Sequence, residues 1–429
     1  MNKLLAAGFA ALWIATPAQA EKVVVTADRM IDVLTGKVVE SPAVFIGDDG
    51  RITSVADART VRWGADVRHI DMSGRTLLPG FIDMHVHLAG SPYIRGYKSF
   101  EYNDAFWPTL GVVNARAMLE AGFTTVRNLG SSDYADVALK QGIEAGFYPG
   151  PRIVPATWSF GATGGHCGGG NLLPPKYKSL TERGVNGAEA IRFQVRENRK
   201  YGAEVIKVCA TGGVFSKNTE PGQQQMTEDE LRAAAQEAHM LGLRVAAHAH
   251  GADGIKAAIR AGIDTIEHAS IVDDEGIRLA AQRKRPVWFS MDIYNTEFTQ
   301  SEGRKTGALE ENLRKDREVA QVQRDNFRKA HRAGVRMVFG SDAGVMPHGT
   351  AAGQFKTMVA YGMTPLEAIQ AATRNAAEAL GRERDVGAIA PGRLGDMVAV
   401  AGDPLRDVAL LTRVDAVIKG GQLVKGAGR

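Results

Sequence analysis

Apolar runs with strand character recur through the middle of the chain, and stretches of helical composition separate most of them. One separating stretch, 227–241, opens with Thr-Glu-Asp-Glu, which is typical of a helix capping box. The eight runs cover residues 79–88, 124–129, 152–156, 204–208, 244–250, 265–268, 286–290 and 336–342. Strands that alternate with helices in this number predict an α/β fold, the (β/α)8 TIM-type barrel, whose functional residues lie at the C-terminal strand ends.

Shorter strand-like segments occupy both ends of the chain. Residues 43–47 and 51–55 are joined by a Gly-Asp-Asp-Gly turn, and similar segments return at 396–400 and 414–424. We therefore predict one small β-sandwich domain built from both chain ends. The predicted divisions are a signal peptide (1–20), the N-terminal part of the sandwich (21–78), the barrel (79–387) and the C-terminal part of the sandwich (388–429).

The N-terminal segment has the pattern of a secretory signal peptide. Lys3 precedes an apolar stretch at 4–15, and Ala18-Gln19-Ala20 forms a small-x-small cleavage site. A membrane anchor is the alternative, but the apolar stretch is short for a bilayer span. We expect a mature chain that begins near Glu21, is secreted or periplasmic, and is not held in a membrane.

Composition narrows the classes of function. Hydrophobic residues are 44% of the 429 residues and charged residues 23%, which is typical of a large globular core. The net charge is only +4 and no Lys/Arg block occurs, so we expect no nucleic acid partner. Cys167 and Cys209 are the only cysteines, so no disulfide framework is expected. Free thiols are the simpler expectation, and one bridge between the two is the open alternative.

Two histidines interrupt the first apolar run. Their spacing puts His85 and His87 on one face of a strand, where both imidazoles can bind one metal ion. An isolated HxH is as often a pair of ordinary histidines. Polar residues also end four later runs, namely Lys207, His248, His268 and Asp342. Nitrogen and carboxylate donors at rigid strand ends predict a metal centre, with Zn²⁺ as the default ion.

The lysine among these residues has two interpretations. Alternation puts Lys207 on the same strand face as Val205 and Cys209, inside the barrel. A buried ammonium tends to lose its proton, and a neutral amine can take up carbon dioxide as a carbamate that bridges two cations. The alternative is an ion pair with a carboxylate such as Asp342. The strand alone favours the ion pair, whereas the neighbouring metal-type ligands favour the carbamate.

Several motifs in this order resemble the amidohydrolase superfamily. They are the Pro79-to-His87 segment, the lysine of the fourth strand, the histidines after strands five and six, the Ser-Asp-Ala-Gly turn at 341–344, and the re-entry segment 391–398. The resemblance covers nearly the whole mature chain. It implies His85 and His87 as ligands of the more buried of two divalent metal ions, His248 and His268 as ligands of the more exposed ion, Lys207 as a bridging N6-carboxylysine, and Asp342 as both ligand and proton shuttle.

Finer motifs are similar to the branch that contains Xaa-Pro dipeptidases, related carboxypeptidases and ochratoxin-hydrolysing amidohydrolases. The cues include Gly164-Gly165-His166 and the Ala-His-Ala-His-Gly run at 247–251. The branch implies a small-molecule substrate, either an N-acyl amino acid such as ochratoxin A or a dipeptide, and a homo-oligomer, for which an octamer is one option. We expect His166 and His250 to orient the substrate carbonyl or carboxylate, and a loop histidine that contacts backbone is the alternative for each. Tyrosine is frequent at the His250 position of the dipeptidases, which leaves open whether the carboxylate is recognised there in the same way.

Aromatic residues near strand ends are candidates for an apolar wall around the substrate. The four considered are Trp107, Trp158, Phe160 and Trp288. Packing inside the protein is the alternative for each.

Two rival functions stay open at this level. A mononuclear deaminase or an imidazolonepropionase-like hydrolase would have no need for a bridging Lys207. A metal- or ligand-binding module without turnover would have no need for a proton shuttle such as Asp342. The barrel fold by itself does not discriminate between these functions.

Overall fold

The computed structural model describes residues 21–177 and 183–426. The predicted signal peptide lies outside the described residues, so export stays a prediction. Within the described part, no helix is both long and apolar enough to cross a membrane.

The strands of the described residues are β1 Glu21–Asp32, β2 Lys37–Glu40, β3 Pro42–Gly47, β4 Ile52–Asp57, β5 Arg68–Pro79, β6 Phe81–Val86, β7 Phe123–Asn128, β8 Arg152–Pro155, β9 Phe160–Gly161, β10 Val205–Cys209, β11 Arg244–Gly251, β12 Thr265–Ile271, β13 Trp288–Ser290, β14 Arg336–Val338, β15 Met397–Ala401, β16 Ala416–Lys419 and β17 Gln422–Lys425. The α-helices are α1 Phe106–Glu120, α2 Ala135–Glu144, α3 Ala188–Lys200, α4 Glu228–Met240, α5 Ala252–Ala261, α6 Asp274–Ala281, α7 Thr296–Glu302, α8 Glu310–Arg332, α9 Gln354–Ala360, α10 Pro365–Ala371 and α11 Arg374–Leu380. Short 3-10 helices cover Gly96–Glu101, Pro175–Tyr177, His348–Gly353 and Val408–Thr412.

Strands from both chain ends form the small β-domain. Their order is β17-β16-β15-β5-β1-β3-β4, with β2 paired to β1. The middle of this order joins the two ends, because β5 pairs with β1 in parallel and with β15 in antiparallel. Side chains of both ends share one apolar core, which includes Val25, Met72, Met397 and Ile418. The prediction of a β-domain built from both ends is confirmed, while its boundary positions stay predictions.

The barrel strands follow one another in parallel around the centre of the molecule. Strands β6 to β8 form one run of paired strands and β9 to β14 another. Backbone hydrogen bonds join the two runs at both seams. Glu204 N donates to Pro155 O at 2.8 Å, and at the opposite seam Met84 N donates to Phe339 O at 2.9 Å and His87 N to Ala343 O at 2.7 Å. All eight predicted runs contain a barrel strand, and the predicted (β/α)8 fold is confirmed.

Two helices test finer expectations. The capping box at the start of α4 is present, since Thr227 Oγ1 accepts from Glu230 N and the Glu230 side chain accepts from Thr227 N. Helix α8 lies in a charged stretch, residues 302–332, for which a loop and a solvated helix are the ordinary expectation. Only one side of α8 is solvated, because Lys315 and Gln323 are buried and turned towards the C-terminal ends of the strands.

Candidate metal centre

The ends of β6 and β14 bring three predicted ligands together. His85 Nε2 and His87 Nε2 each lie 3.4 Å from Asp342 Oδ1. Asp342 N also donates to His85 O at 2.8 Å, which fixes the loop after β14 against β6. The alternation of β6 thus places both imidazoles beside one carboxylate.

This arrangement fits a divalent cation. Asp342 Oδ1 is buried and has no hydrogen-bond partner among the described residues. A buried carboxylate oxygen without a partner is costly, and two imidazole nitrogens and one carboxylate oxygen are the donors that zinc-type ions prefer. The cost of that oxygen is removed if a cation binds between the three side chains.

A second group of donors adjoins the first. One ligand atom from each of His248, His250 and His268 lies within 4.8 Å of the others. A further group of the same size joins His268 and Asp342 to Asp292, so Asp342 belongs to both sides of the centre. The three groups of donors therefore overlap, because they share His268 and Asp342.

The predicted bridging lysine lies inside the barrel next to the first group. Lys207 Nζ is 3.4 Å from His85 Nε2, and the side chain is buried. Burial lowers the pKa of Lys207 to about 8. No carboxylate of the described residues lies within 4.0 Å of Lys207 Nζ, so the alternative ion pair with Asp342 is absent there.

The backbone is strained where it presents these ligands. His268, Ala269 and Asp342 have φ values of 72°, 47° and 56°, in the left-handed region that non-glycine residues rarely adopt. Such conformations cost on the order of 1–3 kcal/mol each and persist where surrounding structure enforces them. The strain is concentrated at two of the strand ends that carry ligands.

The second ring nitrogen of each predicted ligand histidine faces a separate partner. These contacts join His85 Nδ1 to Glu267 Oε2 (3.1 Å), His87 Nδ1 to Gly130 O (3.3 Å), His248 Nε2 to Gly212 O (3.1 Å) and His268 Nδ1 to Asp292 Oδ1 (2.8 Å). Each histidine is therefore left with one nitrogen that is available to a cation.

His166 lies beside the donor groups, and His250 belongs to one of them. The His166 ring stacks on His248 with 4.1 Å between centroids, and the His250 ring stacks on His268 at 4.5 Å. Their Nδ1 atoms each lie 2.7 Å from a serine hydroxyl, that of Ser216 and Ser270 respectively. Burial lowers the pKa of His166 to about 3 and holds the pKa of His250 well below its usual value, so both rings are neutral.

A cavity of about 540 Å³ opens above the centre. Phe100 and Phe215 line it, but none of the four aromatic residues predicted as an apolar wall does. Phe160 and Trp288 are buried in the protein interior instead. The aromatic lining comes from a short 3-10 helix and a turn, where strand periodicity carries no signal.

One arginine also lines the cavity. The Arg183 guanidinium carbon lies 3.9 Å from the centroid of the Trp158 ring, and the guanidinium makes no ion pair with any described residue. Burial lowers its pKa, although Asp133 opposes the shift. Arg183 thus offers an anion-binding group at the cavity wall.

A disulfide joins Cys167 to Cys209, so the expectation of free thiols was wrong. Their Cα atoms lie 5.8 Å apart. The bond ties the loop that carries His166 to the end of β10, which carries Lys207. The chain separation of 42 residues concealed this proximity, which arises only when the barrel closes.

Sequence reasoning missed several polar residues of the site. Asp292 follows β13 at a C-terminal strand end, so its position in the barrel pattern was a usable signal. Glu267 precedes the predicted ligand His268 directly, yet strand alternation predicts that it points away. The left-handed conformation of His268 overrides that alternation.

Comparison with known proteins agrees with this geometry. Residues 76–424 match the amidohydrolase family. The chain belongs to the amidohydrolase family. It is 32% identical over 377 residues to the ochratoxinase of Aspergillus niger, with 82% of this chain and 76% of that protein covered. The resemblance inferred from the motifs is confirmed.

Solved structures place this amidohydrolase beside peptidases of the family. A Xaa-Pro dipeptidase with methionine bound in its active site has a TM-score of 0.85 and 33% identity, covering 94% of this chain and 100% of that one. A prolidase complexed with N-methylphosphonate-L-proline has a TM-score of 0.86, also at 33% identity, with 94% and 100% covered. The amidohydrolase is therefore a hydrolase that acts on amide bonds.

Proposed function

We propose that this amidohydrolase is binuclear and cleaves the amide bond between an acyl group and a C-terminal amino acid, for example ochratoxin A to ochratoxin alpha and phenylalanine. The observation that carries the proposal is the shared carboxylate. Asp342 belongs both to the group with His85 and His87 and to the group with His268. The similarity to the ochratoxinase of Aspergillus niger supports the substrate class.

Two divalent cations, with Zn²⁺ as the first choice, suit these donors. His85, His87 and Asp342 would hold one, His248 and His268 the other, and Lys207 as N6-carboxylysine would bridge them. When bound, the cations supply polarisation of the amide carbonyl and a lowered pKa of water.

Side chains of the protein supply proton transfer and orient the substrate. The Asp342 carboxylate accepts the proton of the attacking water and delivers it to the leaving amide nitrogen. His166 and His250 are neutral rings fixed by serine hydroxyls at Nδ1, which leaves Nε2 of each to contact the substrate carbonyl or carboxylate. Proton transfer and orientation are thus supplied from separate strand ends.

The cavity wall supports an acyl amino acid as the substrate. Arg183 can bind the free carboxylate through charge-assisted hydrogen bonds, which are stronger than neutral ones. Phe100 and Phe215 supply rings on which an aromatic acyl or side-chain group can pack.

A dipeptide is the second candidate substrate, favoured by the similarity to the Xaa-Pro dipeptidase and the prolidase. The same Arg183 contact would serve the carboxylate of a C-terminal proline. The two candidates differ in the acyl group, which carries a cationic amine only in the dipeptide.

The test is hydrolysis of ochratoxin A beside a panel of N-acyl amino acids and Xaa-Pro dipeptides, with metal content measured on the same preparation. We expect two metal ions per chain and release of phenylalanine, and we expect Lys207→Ala to lose activity together with metal. One metal ion per chain and an active Lys207→Ala variant would contradict the bridged centre. Hydrolysis of the dipeptides alone would favour the second candidate.

A further inference from the structure

A charged network is buried inside the barrel beneath the metal centre. The side chains of Arg127 and Glu267 are 1% and 0% exposed, and Arg127 Nη2 donates to Glu267 Oε1 at 2.7 Å. Thr265 Oγ1 donates to the same oxygen at 2.6 Å and accepts from Arg127 Nη1 at 2.9 Å. Arg127 Nε donates to Met84 O at 2.6 Å. The network thus connects β7, β12 and β6.

A contribution to folding stability does not explain why the charged side chains of Arg127 and Glu267 lie inside the barrel. Barrel interiors are ordinarily filled by branched apolar side chains, and replacing a buried ion pair with apolar residues of similar volume is often neutral or stabilising. Such a pair is expected where one of its atoms performs a further task.

The contact made by the second carboxylate oxygen of Glu267 indicates what that task is. Glu267 Oε2 lies 3.1 Å from His85 Nδ1, and neither atom has another polar partner among the described residues. The other ring nitrogen, His85 Nε2, faces Asp342 Oδ1 and Lys207 Nζ, both at 3.4 Å. The imidazole therefore lies between the buried carboxylate and the donor atoms of the centre.

We infer that Glu267, held in place by Arg127 and Thr265, is a positioning residue that keeps the proton of His85 on Nδ1 and so presents an unprotonated Nε2 to the metal ion. This inference rests on the proposed metal centre. It assigns different tasks to two consecutive residues of β12, because Glu267 orients a ligand on β6 across the barrel while His268 is itself a ligand. Only the left-handed backbone at His268 lets both side chains reach the interior.

The inference is tested with Glu267→Gln, which keeps the size of the side chain. A glutamine amide cannot accept from both Arg127 and His85 without turning its NH₂ group towards one of them. We expect the affinity for Zn²⁺ to fall about 10- to 100-fold, as for other partners of metal-bound histidines. Titration of the metal-free protein against a chelator of known affinity measures this directly and needs no substrate.

Asp264→Asn is the matched control. Asp264 is a buried carboxylate on the loop at the opposite end of β12, where it accepts from Val245 N at 2.8 Å and pairs with Arg285. We expect this control to lower the thermal midpoint of the metal-free protein while leaving Zn²⁺ affinity at the wild-type value. Equal affinity in folded Glu267→Gln and wild-type protein would overturn the inference.

Thr265→Val covers the case in which Glu267→Gln does not fold. It removes one donor to Glu267 and one acceptor for Arg127, so we expect a smaller loss of Zn²⁺ affinity in the same direction. Unchanged affinity in Thr265→Val would then overturn the inference. A wild-type protein that binds two ions but hydrolyses no amide would instead overturn the proposed function and leave the role of Glu267 standing.

Discussion

Three buried carboxylates of this barrel differ in what faces them, and their chemistry follows from that difference. Glu267 is neutralised by Arg127, and Asp342 has a buried oxygen without a hydrogen-bond partner among the described residues. Asp136 has neither an arginine partner nor an oxygen at the candidate metal centre. Its carboxylate accepts hydrogen bonds from Thr157 N at 2.9 Å, Val137 N at 3.0 Å and Asn128 Nδ2 at 3.3 Å. Dipolar partners alone do not offset the cost of burying a charge.

Asp136 therefore makes stability depend on pH. Burial raises the pKa of Asp136 from 3.8 to about 6, so the folded protein binds more protons than the unfolded chain between these values. Its contribution to the free energy of unfolding falls as pH rises through that window, by about 3 kcal/mol at most. We expect the thermal midpoint of Asp136→Asn, relative to wild type, to increase between pH 4 and pH 7. A constant difference across this range would contradict the assignment.

Arg183 is expected to determine the preference for substrates with a free carboxylate. In Arg183→Met we expect the KM for an N-acyl amino acid to rise about 10- to 100-fold, from the 1.5–3 kcal/mol of a hydrogen bond to a charged group. The same acyl amino acid as its C-terminal amide has no carboxylate to lose, so its kcat/KM should change little. Equal losses for the acid and the amide would show that Arg183 acts on the fold and not on the carboxylate.

The loop after β9 is held in place by two contacts. The Cys167–Cys209 disulfide joins it to β10, and His166 Nδ1 lies 2.7 Å from the hydroxyl of Ser216. The carbonyl of Ser216 in turn accepts from Lys315 Nζ of α8 at 2.8 Å. This loop carries His166. The disulfide closes a segment of 42 residues, for which constraint of the unfolded chain contributes about 2–4 kcal/mol.

We expect the Cys167→Ser/Cys209→Ser double variant to unfold at a temperature several degrees below that of the oxidised wild type. Reduction with dithiothreitol should lower the wild type to the same midpoint and leave the double variant unchanged, which calorimetry can check. Equal thermal midpoints of the oxidised wild type and the double variant would mean that the disulfide adds nothing to stability.

Strand order and strand ends were predictable because they depend on local periodicity. The alternation around His85 and His87 is visible in the sequence, and so are the polar residues that end later runs. Glu267, Ser216 and the disulfide were not predictable in the same way. Their partners lie on other strands or helices, and contacts across a closed barrel depend on register, which periodicity does not encode.

At the scale of the whole molecule, the candidate ligands join the two runs of barrel strands. His85 lies in β6 and His87 directly follows it in one run. In the other run, His248 lies in β11 and His268 in β12, and Asp342 follows β14. A bound ion would therefore fasten the barrel across the seam where backbone hydrogen bonds from Met84 and His87 already close it. Because this set of ligands exists only in the folded chain, metal binding should stabilise the entire barrel.

Removal of metal should accordingly lower the global thermal midpoint. An ion that binds only the folded state adds RT ln(1 + [M]/Kd), about 4 kcal/mol at a free concentration of a thousand times Kd. We expect the midpoint of the chelator-treated protein to rise with each tenfold increase in Zn²⁺. Asp342→Asn should reduce the increase in midpoint that a given Zn²⁺ concentration causes, because its amide supplies no charge to the ions. Asp264→Asn should lower the midpoint at every Zn²⁺ concentration without changing how the midpoint depends on Zn²⁺. A midpoint that is independent of Zn²⁺ in the wild type would show that these ligands are not bridged by metal, whatever the activity of the protein.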